Sequence, residues 1–340
     1  PVEKATSNST TRKAKNDKTS VSTNGSTATC TQYMFNGCRS LEKITLGANF
    51  TFAGDGTAAS TYYGTLPTPS STYIPNATGS WYGSNGTVYA VADIPNLTAN
   101  TYFATKLNML KPNSSWFAPT VSTVKRSTIT TINIVDSYTP STTPTNSWDA
   151  SLYKDGSIMC YVEGTTLTIA GNGSGRIMAN ADSSSMFSNM LKLTSVNCGV
   201  LDTSNATTMK YMFGGTSSSN LMTLTSIIFG EYFNTSNVED FSYMFNYCIS
   251  IPQLDVSGFN TSKATTMSRM FNQMRIVESL DLSSFDTSKV TDMKNMFQRC
   301  ELMTDLTFGE NFKTGNVTDM SYMFSKCYGL TSIDVSDWDT

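Results

Sequence analysis

The dipeptide Met-Phe recurs on a beat in this chain. It begins at Met186, Met212, Met244, Met270, Met296 and Met323, with steps of 26, 26 and 27 residues from Met244 onward. The 32-residue step from Met212 to Met244 reads as one repeat carrying a short insertion. A fixed period in this range marks a stack of similar supersecondary units, because one such unit cannot bury its own apolar face. The Met and Phe side chains are therefore expected to form the spine of the core. Phe supplies bulk worth about 1.5–3 kcal/mol per buried ring, and Met fills the irregular gaps beside it.

Within one unit, FDTSKVTDMKNMFQRC (285–300), Val290, Met293 and Phe297 lie three and four apart, which predicts one apolar side of a short helix. Asp286, Thr287 and Ser288 stand just ahead and read as its N-terminal cap. Related starts recur at Asn234-Thr235-Ser236 and Asn260-Thr261-Ser262. In the rest of the unit Leu306 and Phe308 alternate with Thr307, the period of a short strand. The same strand core recurs at Val196, Ile227, Leu254, Leu280 and Ile333. The expected fold class is thus an α/β solenoid: a leucine-rich-repeat-like stack of short parallel strands on one side and short helices on the other.

The segments LSSFDTSKVTDMKNMFQRCELMTDLTF and FKTGNVTDMSYMFSKCYGLTSIDVSDWDT resemble the 26-residue bacterial surface-protein repeat, the BspA-type class of leucine-rich repeat. The likeness runs from about 183 to 340, with a weaker trace at 30–52. It implies a secreted, cell-surface or wall-attached protein working in adhesion, with host or extracellular-matrix protein, or another cell surface, as partner. It brings no enzymatic activity and no catalytic motif.

Composition narrows the function further. The chain has no histidine, which removes Ser-His-Asp and Cys-His catalysis and histidine-ligated metal sites. Charged residues make up 14%, the net charge is −3, and the repeats lack a basic-aromatic stripe, so nucleic acid is not an expected partner. No run of 18 apolar residues is present to span a membrane. Four of the seven cysteines, Cys38, Cys248, Cys300 and Cys327, share one slot three residues after the repeat Phe. Other repeats fill it with Met190, Thr216 or Met274, which reads as a small buried site holding free thiols.

The chain divides by composition into a Ser/Thr-rich linker expected to be disordered (1–29), a decayed repeat ending an upstream array (30–52), and an aromatic, Gly/Pro-rich β spacer (53–147). A β-hairpin N-terminal cap (148–182) and the repeat array (183–340) follow. The array stops where the pattern calls for a further unit, so a longer protein is expected. In a parallel stack the outward strand positions form one surface, here Asn197, Asp255, Asp281, Thr307 and Asp334, with Ile228 between. This acidic, hydroxyl-rich face is the expected site for a protein ligand. A flat ladder supplies fewer than the six to eight oxygens a calcium site needs, so no metal and no cofactor are expected. The expected function is a non-enzymatic cell-surface adhesion module. Two alternatives stand beside it: carbohydrate binding by the spacer, with Trp81 and Tyr82 stacking on sugar rings, and a purely structural stalk.

Overall fold

The structure is a computed structural model. It describes residues 108–339 continuously and, ahead of them, residues 20–23, 26–29, 35, 38–47, 66–74, 77–83, 86–90, 94 and 100–103. The chain forms two compact units, Pro1–Leu107 and Asn108–Thr340. In the first, β1 (Ser20–Thr23) pairs antiparallel with β2 (Ser26–Thr29), within the stretch read as linker. Strands β3 (Lys43–Leu46), β4 (Trp81–Gly83), β5 (Val88–Tyr89) and β6 (Asn100–Phe103) make an antiparallel sheet in the order β3-β6-β4-β5. Its core gathers Leu46, Leu66, Ile74, Trp81, Tyr89, Ile94 and Tyr102. Much of the decayed repeat at 30–52 lies outside the described residues, including Met34.

The second unit holds β7 (Thr131–Val135), β8 (Asn146–Asp149), β9 (Met159–Glu163), β10 (Thr166–Ala170), β11 (Ile177–Met178), β12 (Ser195–Asn197), β13 (Leu201–Asp202), β14 (Ser226–Ile228), β15 (Ser279–Leu282) and β16 (Asp305–Phe308). Six of them form one mixed sheet, β14-β12-β7-β10-β9-β8, parallel from β14 to β10 and antiparallel from β10 to β8. Leu167, Ile132, Val196 and Ile227 stand in one row across it. The first strand of the array therefore stacks on β7, which lies in sequence inside the stretch read as spacer. Further along, β15 and β16 pair in parallel, with Leu280 beside Leu306 and Asp281 beside Thr307.

The expected helices are absent, and the fold class is corrected accordingly: among the described residues there is no α-helix, only a 3-10 turn at Arg126–Thr128. The array is a stack of strand-and-turn rungs. A helix would need each amide to reach the carbonyl four residues back. Here alternate amides leave their own rung. Met293, Asn295, Phe297 and Arg299 donate to the carbonyls of Asp319, Ser321, Met323 and Ser325 in the next one, at 2.8–3.0 Å. The intervening amides of Met296, Gln298 and Cys300 close turns onto Met293, Asn295 and Phe297. The rung before repeats this, with Met267, Arg269, Phe271 and Gln273 donating to Asp292, Lys294, Met296 and Gln298. Left-handed residues recur at the same points, Arg269, Gln273, Asn295, Arg299, Tyr322 and Lys326, with φ between 54° and 65°. An L-residue in that region cannot continue a right-handed helix.

The core does run along the Met-Phe spine. Every Met and Phe of the pair from 186 to 297 is fully buried. The rings of Phe187, Phe213, Phe245, Phe271, Phe297 and Phe324 stack face on face at centroid separations of 5.4–5.8 Å. The cysteine slot abuts this stack. The thiols of Cys248, Cys300 and Cys327 donate to the carbonyls of Phe213, Phe271 and Phe297 in the preceding rungs, at 3.5, 3.3 and 3.1 Å. Burial pushes the Cys248 and Cys300 thiols up, so they stay protonated.

Each rung bends at three corners, and short polar side chains make the bends. At the first, Asp255, Asp281 and Asp334 accept from the amides of Ser257, Ser283 and Ser336. At the second, Asp202, Asn234, Asn260 and Asp286 accept from Ser204, Ser236, Ser262 and Ser288. At the third, Asp182, Asp240, Asp292 and Asp319 do the same for the residue two ahead. These are Asx turns, in which a carboxylate or amide oxygen imitates a backbone acceptor. The third corner is in register through the array, with bridges Asp182–Thr208–Asp240–Thr266–Asp292–Asp319.

Asn197 makes the same turn, accepting from the Gly199 amide at 2.9 Å, but where the first corner has Ile228 or Thr307 instead, glycine replaces the turn. A Cβ on Gly230 would stand 1.8 Å from the Gly199 carbonyl oxygen, and one on Gly309 would stand 2.1 Å from that of Ser283. These corners take one extra residue: Ile228 to Thr235 and Thr307 to Thr314 are seven steps, against six from Asp281 to Thr287. That accounts for the 27-residue step. The 32-residue step adds five more residues after Phe213, in the GGTSSSN loop.

Candidate functional site

The strand side of the array comprises residues 193–199, 223–230, 251–258, 277–284, 303–310 and 330–336. The outward positions read from the sequence do face outward: Asp255, Asp281, Thr307 and Asp334 are exposed and Asn197 is half-buried. Inward partners Val196, Leu254, Val256, Leu280 and Leu282 are buried. Asp281 and Thr307 lie side by side on β15 and β16, as do Ser279 and Asp305. Asn197 sits between Asn133 of β7 and Ile228 of β14. Around Asp255 and Asp334 the chain keeps the rung path but joins no strand ladder. Residues Thr304, Asp305 and Leu306 border an open groove of about 390 Å³ with Ser332, Ile333 and Asp334.

The carboxylates on this face are held, not loose. Asp255 takes the Ser257 amide at 2.9 Å and its hydroxyl at 2.7 Å. Asp281 takes both groups of Ser283. Donors aimed at a carboxylate favour its charged form. The Ser257, Ser283 and Ser336 hydrogen bonds accordingly hold Asp255, Asp281 and Asp334 below the ordinary carboxylate range, against a smaller upward push of Asp281 on Asp255. All three stay ionised at neutral pH.

Two features escaped the reading of the sequence. The first is a column of buried threonines, Thr203, Thr235, Thr261, Thr287 and Thr314, each the middle residue of the segment read as a helix cap. The Thr261 hydroxyl donates to the Asp286 carbonyl at 2.9 Å and accepts from the Asp286 amide at 2.9 Å. Thr203, Thr235 and Thr287 repeat that double bond with Asn234, Asn260 and Lys313. One hydroxyl thus satisfies two backbone groups of the next rung where no strand ladder can. The recurrence of Thr between Asp/Asn and Ser was the available signal.

The second is a lid on the first rung. The Arg126 guanidinium donates to the carbonyls of Ser185, Met186 and Ser188, and the Trp116 indole also donates to Met186. Trp116 closes the phenyl stack edge-on against Phe187 at 5.9 Å. Burial lowers the Arg126 pKa to about 10, which leaves it charged at neutral pH. Nothing in the local sequence around 116–126 announces this role, because its partners lie some 60 residues away.

Trp81 and Tyr82 are 0% and 6% exposed. The Trp81 indole donates to Pro67 O at 2.9 Å, and the Tyr82 hydroxyl shares a hydrogen bond with Thr78. A sugar stacks on an open ring face, and neither ring has one here: these two residues belong to the core of the first unit. No group of three or more metal-ligating side chains occurs among the described residues. None of the helices among them is long and apolar enough to cross a membrane.

Residues 181–301 and 276–340 match the family model described as "Mycoplasma protein of unknown function, DUF285". The matched stretch coincides with the rung array. No curated protein and no solved structure matches the chain.

Proposed function

We propose that the array is a non-enzymatic adhesion module of a cell surface, whose strand face docks a cationic protein surface on a host molecule or another cell. The reading rests on one observation. The strand side carries Asp255, Glu278, Asp281, Asp305, Glu310 and Asp334, all exposed, and no basic residue. Three of these carboxylates are fixed in direction by their own turns. A row of like charge held in place along the stacked rungs has lost side-chain entropy before a partner arrives, which lowers the cost of binding. The placement at a cell surface rests on the resemblance to the surface-protein repeat.

The test is capture of the full chain on immobilised extracellular-matrix proteins and on intact cells, at low and high salt. The informative variant combines Asp255→Asn, Asp281→Asn and Asp334→Asn, because Asn keeps the oxygen that accepts from Ser and removes the charge. Binding should fall at least tenfold in the triple variant and in high salt. Undiminished capture by the triple variant would move the site off this face.

A further inference from the structure

The side of the array opposite in charge to the strand face is its own Met-Phe turn face, residues 184–192, 210–222, 242–250, 268–276, 294–302 and 321–329. It carries seven basic residues, among them Lys192, Lys210 and Lys326, against a single acidic one, Glu301. The strand face carries six acidic residues and no basic one. Few charges are present in this chain, yet the array sorts them by side. Its third side, beginning at the second corner, mixes signs, as with Lys263, Asp286, Lys289 and Asp292.

The turn face also has the chemistry of a contact surface. Tyr211 and Tyr243 stack at 4.3 Å, and Lys210 and Arg269 lie over the Tyr243 ring at 5.8 and 5.2 Å. Tyr322 and Tyr328 are 65% and 73% exposed. Aromatic and Arg side chains are enriched at protein interfaces. These columns are in register, since Tyr211, Tyr243, Arg269 and Asn295 donate their amides to Ser242, Ser268, Lys294 and Ser321 of successive rungs.

We infer that the chain binds a second copy of itself, the acidic strand face of one array lying along the basic, tyrosine-bearing turn face of the next. This rests on the strand face being a docking surface and names its partner as a chemically complementary face of the same protein. Two arrays share one rung spacing, so rows of carboxylates on one fall opposite rows of cations on the other without a mismatch that grows along the contact. The two faces differ, so the association is head-to-tail in kind: one copy keeps its basic face free and the other its acidic face, and the contact extends to further copies or across two opposed surfaces. Six rungs spaced about 4.8 Å apart give a face of about 500 Å² per copy, which places the contact among weak, transient ones.

The experiment is sedimentation velocity on the full chain over a concentration series, at ionic strengths of about 0.01 M and about 1 M, where the Debye length falls from about 30 Å to about 3 Å. Two charge-reversed variants accompany it: Lys192→Glu with Lys210→Glu and Lys326→Glu, and Glu278→Lys with Asp305→Lys. Every one of these side chains is exposed, and circular dichroism melts confirm folding. The wild type should associate at low salt and lose at least tenfold in affinity at high salt. Each variant alone should stay monomeric, and a mixture of the two should associate again. A wild type monomeric at every salt, association untouched by either reversal, or a mixture that fails to associate would each overturn the inference. Loss of self-association alone leaves the acidic face testable. If the monomeric chain still binds immobilised polylysine and Glu278→Lys with Asp305→Lys abolishes that, the docking face stands and its partner is another protein.

Discussion

At the scale of single residues, the buried threonine column shows how this chain replaces a missing ladder. Thr261 is 1% exposed, and its hydroxyl is both donor and acceptor for one residue of the next rung. Valine has the same shape without the hydroxyl, so Thr261→Val leaves an amide and a carbonyl without their partner. Each unsatisfied group costs about 1–3 kcal/mol. Thr261→Val should therefore lower the unfolding free energy by about 2 kcal/mol or more, while Thr261→Ser, which keeps the oxygen, should cost less than half as much. Urea unfolding of the two variants checks this, and a Thr261→Ser loss as large as or larger than that of Thr261→Val would show that the hydroxyl carries no special share. The pattern is visible in the sequence as Asp/Asn-Thr-Ser, but taken locally it is the pattern of a helix cap. A cap and an Asx turn use the same atoms at the same spacing, and the difference lies in a partner 25 residues away.

At the scale of elements, inside and outside were legible, and secondary structure on the Met-Phe side was not. Alternation fixed Leu280 and Leu282 inward and Asp281 outward, because a strand has a period of two. Val290, Met293 and Phe297 are all buried as expected, but a chain of tight turns places them inward as well as a helix would. What decided between the two is the sign of φ at Asn295 and Arg299, in residue types that carry no turn signal comparable to glycine. This makes a sharp substitution test at Lys326, an exposed residue with φ 65°. Glycine enters the left-handed region freely, whereas a β-branched side chain resists it at a cost of about 1–2 kcal/mol. Lys326→Gly should hold or raise the melting temperature and Lys326→Val should lower it. A helix at this position would give the reverse order, since glycine is the worse helix former.

At the scale of the whole molecule, the same carboxylates shape the corners and charge the strand face, which ties stability and binding to one pH window. Ser hydrogen bonds lower the pKa of Asp255, Asp281, Asp286 and Asp334, and at Asp319 the Ser321 bonds and then Lys294, 3.0 Å away, bring it from an ordinary 3.8 to about 2. A folded-state pKa below the unfolded one means that the unfolded chain takes up protons first as pH falls. The stabilisation is complete above the ordinary value and is lost as pH drops through the folded value, so for Asp319 it goes between pH 3.8 and about 2. The melting temperature should therefore be level from pH 7 to about 5 and fall below pH 4. Replacing Asp281, Asp319 and Asp334 with Asn keeps each acceptor oxygen and removes the titration, so that variant should show a shallower acid limb. An unchanged limb would place the acid sensitivity elsewhere. Capture on a cationic surface should fade over the same pH range, because protonating a corner carboxylate weakens its turn and discharges the face in one event.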